Sequence, residues 1–152
     1  MDTVKVDQRF MTRALALAKN AGDSGEVPVG AVVVLNNEII GEGHNQPVAC
    51  HDPTAHAEIV AIRNACEAVN NYRLNGATLY VTLEPCIMCA GAILTSRIDR
   101  LVFGARDERF GAAGTQVNLV ESTFLNHQAT VTAGVLESVS KVLLQEFFES
   151  KR

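Results

Sequence analysis

Two short stretches of the chain carry the side chains best suited to chemistry. The first is Asp52-Pro53-Thr54-Ala55-His56-Ala57-Glu58-Ile59, and the second is Pro85-Cys86-Ile87-Met88-Cys89. His56, Cys86 and Cys89 together offer the nitrogen and sulfur ligands that Zn²⁺ takes in tetrahedral geometry. Three protein ligands leave the fourth position to water, which distinguishes a catalytic zinc from a structural one. The pattern therefore predicts a catalytic zinc site with one ion per chain.

Glu58 lies two residues after His56 and is not needed as a ligand, because two cysteines are available. A carboxylate beside an activated water can accept its proton and pass it to a substrate, and we expect Glu58 to do so. A Cys-x-x-Cys pair alone fits a redox pair or half of a zinc ribbon equally well, and His-x-Glu alone is weaker still. Combined in this order, with Pro85 before Cys86, the two motifs match the His-x-Glu … Pro-Cys-x-x-Cys signature of zinc-dependent nucleobase deaminases.

The remaining histidine and cysteine candidates have simpler interpretations. His51 lies five residues before His56. As a fourth ligand it would close the metal to water, so we expect it to contact the backbone of a substrate instead. Cys66 falls on the apolar face of a predicted helix and is interpreted as a small buried core residue. Residues 45–51 are predicted to form a polar loop, and Cys50 within it receives no role.

Composition limits the class of protein. The chain has 152 residues, 47% of them hydrophobic and 20% charged, which predicts one folded domain over 1–152. Its apolar runs are too short to span a bilayer and no secretory signal opens it, so we expect a cytoplasmic protein with reduced cysteines. The net charge of −4 argues against nucleic-acid binding by bulk attraction. The alternative to bulk attraction is a local basic patch, formed by Arg97, Arg100, Arg106, Arg109 and Lys151-Arg152.

Apolar periodicity predicts an alternation of helices and strands. Phe10 and Leu17 share one face of the first helix, and the β-branched run 27–35 predicts a strand buried on both faces. Asn36-Asn37 predicts a hairpin turn after it. The alternation favours an α/β fold, a three-layer α/β/α sandwich with one mixed five-stranded sheet. The predicted helices cover 6–21, 53–69, a segment opening at 84–85, and 136–147, and the strands cover 27–35, 38–44, 77–83, 100–105 and 129–132.

Both motifs are predicted to begin helices. Asp52 can cap the first of these helices, with Pro53 at its first position, and Glu84-Pro85 opens the second. Helix N-termini carry partial positive charge, which favours the thiolate form that binds metal. The glycine-rich segment 106–117 lacks periodicity and is predicted to be a loop.

The closing helix is expected to place Leu136, Val139, Leu143 and Phe147 on one face. Phe147 and Phe148 are adjacent, so they cannot share a helix face. We expect one ring in the core and the other exposed, where it could stack on a base; burial of both rings is the alternative.

These motifs make the chain resemble the bacterial-type tRNA-specific adenosine deaminases, which convert adenosine to inosine at the wobble position. The resemblance covers nearly the whole chain. It is carried by the stretches 26–32, 51–58, 71–74, 79–91, 103–107 and 111–114, by Asn45, and by Phe147-Phe148 near a basic end. It implies a cytidine deaminase-like fold and a homodimer in which both subunits contact RNA. Glu108-Arg109-Phe110 and 118–128 depart from the family pattern.

The resemblance also implies roles for individual residues. His56, Cys86 and Cys89 would bind zinc, and Glu58 would shuttle protons during hydrolytic attack on C6 of adenine, which releases ammonia. Asn45 matches the position that hydrogen-bonds the flipped nucleoside. The backbone N–H of Ala57 would meet the edge of the base. Further contacts with the nucleoside or the tRNA anticodon stem-loop would come from Val29 and Pro28 as pocket walls and from His51, Arg106, Asp107, Phe148 and Arg152.

Two other functions remain open at this point. The zinc motifs alone fit a deaminase of a small free base or nucleoside, such as guanine, cytosine or cytidine. The family-like loop around Arg106-Asp107 and the aromatic, basic end favour RNA over these small molecules. A non-catalytic zinc-stabilised binding module is the alternative of another class. The position of Glu58, suited to proton transfer and not needed for ligation, argues against such a module.

Overall fold

The computed structural model describes residues 2–151. Its strands are β1 (Gly30–Leu35), β2 (Glu38–His44), β3 (Thr78–Leu83), β4 (Arg100–Ala105) and β5 (Thr130–Thr132), and its helices are α1 (Thr3–Asp23), α2 (Pro47–Cys50), α3 (Ala57–Val69), α4 (Ile87–Thr95) and α5 (Glu137–Ser150). The strands form one sheet in the order β2-β1-β3-β4-β5. Strand β1 pairs antiparallel with β2 and β3, whereas β3, β4 and β5 run parallel, so the sheet is mixed, as predicted.

Helices cover both faces of this sheet. On one face, α1 and α5 pack on alternate strand residues such as Val32, Tyr80 and Val102. On the other face, α3 and α4 pack on the intervening residues, including Val81 and Phe103. Because successive side chains of a strand point to opposite faces, each central strand contributes to both cores. This arrangement confirms the predicted three layers.

The first hairpin sets the position of the edge strand. Asn36 and Asn37 both have positive φ angles, 52° and 62°, which suit a tight turn between antiparallel strands. Strand β1 starts at Gly30 and not at the predicted residue 27, and it is buried on both faces as expected. At Gly30 the backbone of α1 comes so close that an added Cβ would lie 2.0 Å from the carbonyl oxygen of Ala14.

A buried polar network ties α1 to the sheet. Asp7 is 4% exposed and accepts hydrogen bonds from the two terminal nitrogens of the Arg100 guanidinium, at 2.8 and 2.6 Å, and from the Tyr80 hydroxyl at 2.7 Å. Burial alone would raise the pKa of Asp7, but the bonds from Arg100 and Tyr80 outweigh it and hold that pKa below its usual value. Arg100 is thus committed to the fold, so it cannot serve in the basic patch predicted from the sequence.

Three predicted helix features were wrong. Helix α3 begins at Ala57 and not at Pro53, because Asp52 instead closes a local turn by accepting the Thr54 amide at 2.9 Å. The predicted polar loop at 45–51 contains the short helix α2. In α5, Val139 was predicted on the apolar face but is 47% exposed, whereas Ser140 is buried.

None of the helices within residues 2–151 is both long and apolar enough to cross a membrane.

Candidate active site

The three predicted metal ligands meet at the N-termini of two helices. His56 is the N-cap residue of α3, Cys86 is the N-cap residue of α4, and Cys89 lies in the first turn of α4. Their ligand atoms all lie within 4.8 Å of one another. The Nδ1 atom of His56 lies 3.5 Å from Cys89 Sγ and 3.7 Å from Cys86 Sγ. The imidazole therefore presents Nδ1 to both sulfurs.

These distances fit a zinc ion. Zinc bonds of about 2.3 Å to sulfur and about 2.0–2.1 Å to nitrogen, at a tetrahedral angle, separate the nitrogen and sulfur ligands by about 3.6 Å. The observed separations of 3.5 and 3.7 Å bracket that value. The donor set of one imidazole and two thiols is also one that zinc prefers. Three ligands leave a fourth position for water, as the sequence predicts.

The electrostatics of the cluster favour a thiolate. A hydrogen bond from the Cys89 thiol, assisted by His56, lowers the pKa of Cys86 to about 4, although burial opposes the shift. The bond to Cys86 raises the pKa of His56. The cluster can thus hold one thiolate before any metal binds, and a bound zinc would deprotonate both thiols.

Glu58 is a buried carboxylate beside this cluster. It lies in the first turn of α3 and is 4% exposed. Burial is the main cause that raises the pKa of Glu58 to about 7, and the negative charge of Cys86 acts in the same direction. A carboxyl group in this condition can both accept and donate a proton near neutral pH. This position agrees with the predicted proton shuttle.

The cluster opens into a cavity with a volume of about 890 Å³. His56, Glu58 and Cys86 contribute to its wall. Apolar side chains line another part of the wall, and the loop between β4 and β5 forms much of the rest. The remaining lining residues are Val27, Val29, Asn45, Leu83, Glu84, Ile87, Met88, residues 106–111, Gln116, Val117, Leu144 and Phe148.

Asn45 links the cavity to the start of α3. Its Oδ1 atom accepts a hydrogen bond of 2.8 Å from the backbone N–H of Ala57. His56, the N-cap residue, directs its ring to the cysteines, so Asn45 supplies a capping oxygen from another segment. The Ala57 N–H therefore binds Asn45, and its contact with the edge of a base stays a prediction. With Oδ1 occupied, the Nδ2 group is the donor that Asn45 can offer to a molecule in the cavity.

The other predicted substrate residues divide into two groups. Val29, Arg106, Asp107 and Phe148 line the cavity. Within the described part of the chain, Val27 takes the lining position expected of Pro28. Pro28 is buried near the end of α1, where a Cβ at position 22 would lie 3.4 Å from it.

His51 is exposed at the end of α2, with a φ of 50°, and lies outside both the metal cluster and the cavity lining defined by residues 2–151. Arg152 lies outside the described residues. Of the aromatic pair, Phe147 is half-buried and Phe148 is 50% exposed, so the expectation of one exposed ring fits better than burial of both. Cys66 is only partly buried, although it packs against the core.

Two cavity residues were missed from the sequence. Phe110 is 60% exposed in the segment that departs from the family pattern. Glu84 is a charged residue that is only 2% exposed. An acidic residue at the end of the apolar strand 77–83, directly before Pro85, was the available signal for Glu84.

Comparison with known proteins gives the same class as the site. The sequence profile of the "cytidine and deoxycytidylate deaminase zinc-binding region" matches residues 4–105. The tRNA-specific adenosine deaminase of Haemophilus influenzae is 51% identical, over 100% of this chain and 91% of its own length. That of Bacillus subtilis is 49% identical, over 96% of this chain and 91% of its own.

A solved structure agrees with these sequence relatives. It comes from a study of A-to-I editing by tRNA:A34 deaminases at the wobble position, and its TM-score is 0.87 at 47% identity. The match covers 90% of this chain and 99% of the other. The chain therefore belongs to the zinc-binding cytidine and deoxycytidylate deaminase family, and within it to the tRNA-specific adenosine deaminases, which are hydrolytic enzymes. The predicted family and fold are thereby confirmed.

Proposed function

We propose that the protein converts adenosine to inosine at the wobble position of tRNA by hydrolysis, with one zinc ion per chain. The observation that carries this proposal is the buried carboxylate of Glu58 beside the cluster of His56, Cys86 and Cys89, at the wall of an open cavity. The relatives that are about half identical to the chain are named for this activity, which supports adenosine in tRNA as the substrate.

The protein's own residues supply proton transfer and orientation. A zinc ion held by His56, Cys86 and Cys89 would activate water, whose pKa can fall to roughly 7 in such sites. Glu58 accepts a proton from water and delivers it to N1 of adenine as the water oxygen bonds to C6. Glu58 then carries the second proton, taken from the new hydroxyl on C6, to the departing amino group. The C6–N6 bond breaks, and the products are inosine and ammonia.

The cavity wall would hold the base in place. Val27 and Val29 offer apolar surface to the purine faces, and Asn45 offers an Nδ2 donor to an acceptor of the nucleoside. Enclosure of a single base in such a cavity requires that it leave its stack, which costs least in a single-stranded loop. The anticodon loop of tRNA provides such a base.

Aromatic and basic side chains at the cavity suit RNA. Phe110 and Phe148 are 60% and 50% exposed, and unstacked bases bind well to such rings. The Arg109 guanidinium lies 5.4 Å from the centre of the Phe110 ring, and Arg106 also lines the cavity. On a chain of net charge −4, this local patch would provide the attraction to phosphate. Binding should therefore weaken as salt concentration rises.

The same proposal includes a homodimer that acts in the cytoplasm as a single deaminase domain. Ile87 and Met88 begin α4 next to the cysteine ligands, and they are 65% and 37% exposed. A second copy would cover this apolar surface, in agreement with the family resemblance. Light scattering of the purified protein tests the dimer, and an active monomer would contradict it. Metal analysis tests the zinc, and two tightly held ions per chain would contradict one.

The decisive assay uses purified protein and a tRNA transcript with a wobble adenosine, with inosine as the readout. Free adenosine, adenine, guanine, cytosine and cytidine are run in parallel under identical conditions. Glu58→Ala is the inactive control. Inosine formation in the tRNA alone is the expected result. Turnover of one of the small molecules, with none on the tRNA, would overturn the RNA substrate and leave a zinc deaminase of free bases or nucleosides.

A further inference from the structure

The carboxylate of Glu84 is the centre of the loop that follows β4. It is 2% exposed and lies between the end of β3 and the cysteine motif. Oε1 accepts the Asp107 amide at 3.1 Å and also binds the Thr115 hydroxyl. Oε2 accepts the amides of Ala113 and Thr115, each at 3.0 Å. One side chain thus holds a loop segment of nine residues at three separate points.

The loop is shaped to fit this carboxylate. A Cβ added at Gly111 would lie 2.5 Å from Glu84 Cδ and 2.6 Å from the Asp107 carbonyl oxygen, so only glycine lets the loop close around it. The Ala112 amide binds the Pro85 carbonyl at 2.8 Å, which adds a direct link to the metal motif.

The loop held in this way forms much of the cavity wall. Residues 106–111, together with Gln116 and Val117, all line the cavity. Asp107, whose amide binds Glu84, in turn accepts the amides of Arg109 and Phe110 at 3.0 and 3.1 Å. Hydrogen bonds therefore link Glu84 through Asp107 to the backbone of Phe110, whose side chain is exposed.

We propose that Glu84 is a positioning residue for substrate capture. It fixes the loop of residues 106–117, which forms the rim of the cavity, relative to the metal motif. It acts through the loop, while Glu58 moves protons. Loss of Glu84 should therefore affect tRNA binding more than the chemical step. The substrate in this inference rests on the proposed function, whereas the role of Glu84 in ordering the loop does not.

Glu84→Gln tests this with almost no change in volume. All four bonds come from donors, and an amide offers only one oxygen. If the Gln NH₂ group takes the position of Oε1, the Thr115 hydroxyl can accept a hydrogen bond from it. The Asp107 amide would then face another donor, so its hydrogen bond would be lost. We expect the KM for tRNA to rise at least about tenfold, as when a buried charged partner is lost, while single-turnover chemistry changes less than threefold or so.

Hydrogen exchange provides a readout independent of activity. In zinc-loaded Glu84→Gln, exchange should accelerate at Asp107, Ala113 and Thr115, with the sheet unchanged. The matched control is Asp7→Asn, another buried carboxylate with charged and polar partners, which is not among the residues that line the cavity. It should lower the melting temperature and leave the KM unchanged. Thr115→Val removes only the hydroxyl donor and should shift exchange and KM in the same direction by a smaller factor.

The outcomes separate the proposals. Normal loop exchange and normal KM in a folded Glu84→Gln would overturn the positioning role. A uniform loss of stability with the same kinetics as Asp7→Asn would also overturn it, since Glu84 would then be merely structural. If Glu84→Gln does not fold, the Thr115→Val variant provides the test. Unchanged hydrogen exchange of the loop amides in that variant would count against the proposal. If the wild-type protein leaves tRNA unmodified, the proposed function is wrong. The role of Glu84 in ordering the loop is then tested by hydrogen exchange of the loop amides alone.

Discussion

Replacement of Asn45 by two different residues separates its structural role from its proposed catalytic one. Its Oδ1 atom caps α3 through the Ala57 amide, at 2.8 Å, while its Nδ2 group is the donor available to the nucleoside. Asn45→Ala removes both groups. Asn45→Asp keeps an acceptor for the helix N-terminus and removes the donor. The two variants should therefore differ in stability and agree in their loss of activity.

The magnitudes follow from these contacts. Loss of a helix-capping oxygen to alanine typically costs about 1 kcal/mol, which lowers the melting temperature of a domain of this size by roughly 2–4 °C. Asn45→Asp should melt close to the wild type, because a carboxylate is favoured at a helix N-terminus. Loss of the donor would leave an acceptor of the bound nucleoside without a hydrogen bond, which weakens transition-state stabilisation by about 1–3 kcal/mol. Both variants should therefore lose roughly 5- to 150-fold in kcat/KM for tRNA.

The assay is inosine formation in a tRNA transcript, with melting of the zinc-loaded proteins measured alongside. Asn64→Ala is the control. Asn64 lies on an exposed part of α3, and its side-chain amide also hydrogen-bonds to the backbone, donating to the Glu42 carbonyl at 2.8 Å. It should leave kcat/KM unchanged. Wild-type kcat/KM in Asn45→Asp would refute the donor role. An equal drop in melting temperature for Asn45→Asp and Asn45→Ala would refute the capping argument.

Three further predictions concern the cofactor, the proton shuttle and the fold. Glu58→Gln should keep the fold and zinc but lower kcat by roughly 10²–10⁴-fold, the usual range for general acid–base catalysis, and zinc loss in metal analysis would instead make Glu58 a ligand. Chelation of zinc should abolish inosine formation and lower the melting temperature, and added Zn²⁺ should restore both; an active Cys86→Ala variant would contradict this. The Asp7 pKa is lower in the folded state than its unfolded value of about 3.9, so its contribution to stability is present above that pH and lost as pH falls through the folded-state pKa. The melting-temperature difference between wild type and Asp7→Asn should therefore be constant near neutral pH and shrink below about pH 4, whereas a pH-independent difference would contradict the role of charge.

Much of the fold could be predicted because local patterns dictate it. The apolar face of α1 and the β-branched residues of β1 predict buried elements whatever their neighbours, and the Asn36-Asn37 pair predicts the hairpin. The metal ligands could be predicted for a chemical reason. An imidazole followed by a carboxylate, and two thiols spaced Cys-x-x-Cys after a proline, suit few purposes other than catalytic zinc binding.

Helix boundaries near the site could not be read locally. Asp52-Pro53 is a good helix start, yet α3 begins at Ala57. The chain ahead of Ala57 instead forms a turn closed by Asp52, and this leaves His56 at the N-cap with its ring free to face the cysteines. The cap for the Ala57 amide comes from Asn45, a residue of another segment. Sequence preference gives the tendency to begin a helix, and tertiary contacts select the residue.

By itself, the sequence determined the chemistry at the centre of the site, because His56, Glu58, Cys86 and Cys89 have few alternative uses in that spacing. Only the tertiary structure decided which other charged residues serve the site. Arg100, considered for a basic patch, is paired with the buried Asp7, whereas Glu84 holds the loop that lines the cavity. A charged side chain gains its role from the donors and acceptors that folding brings to it, and residues distant in sequence supply most of these.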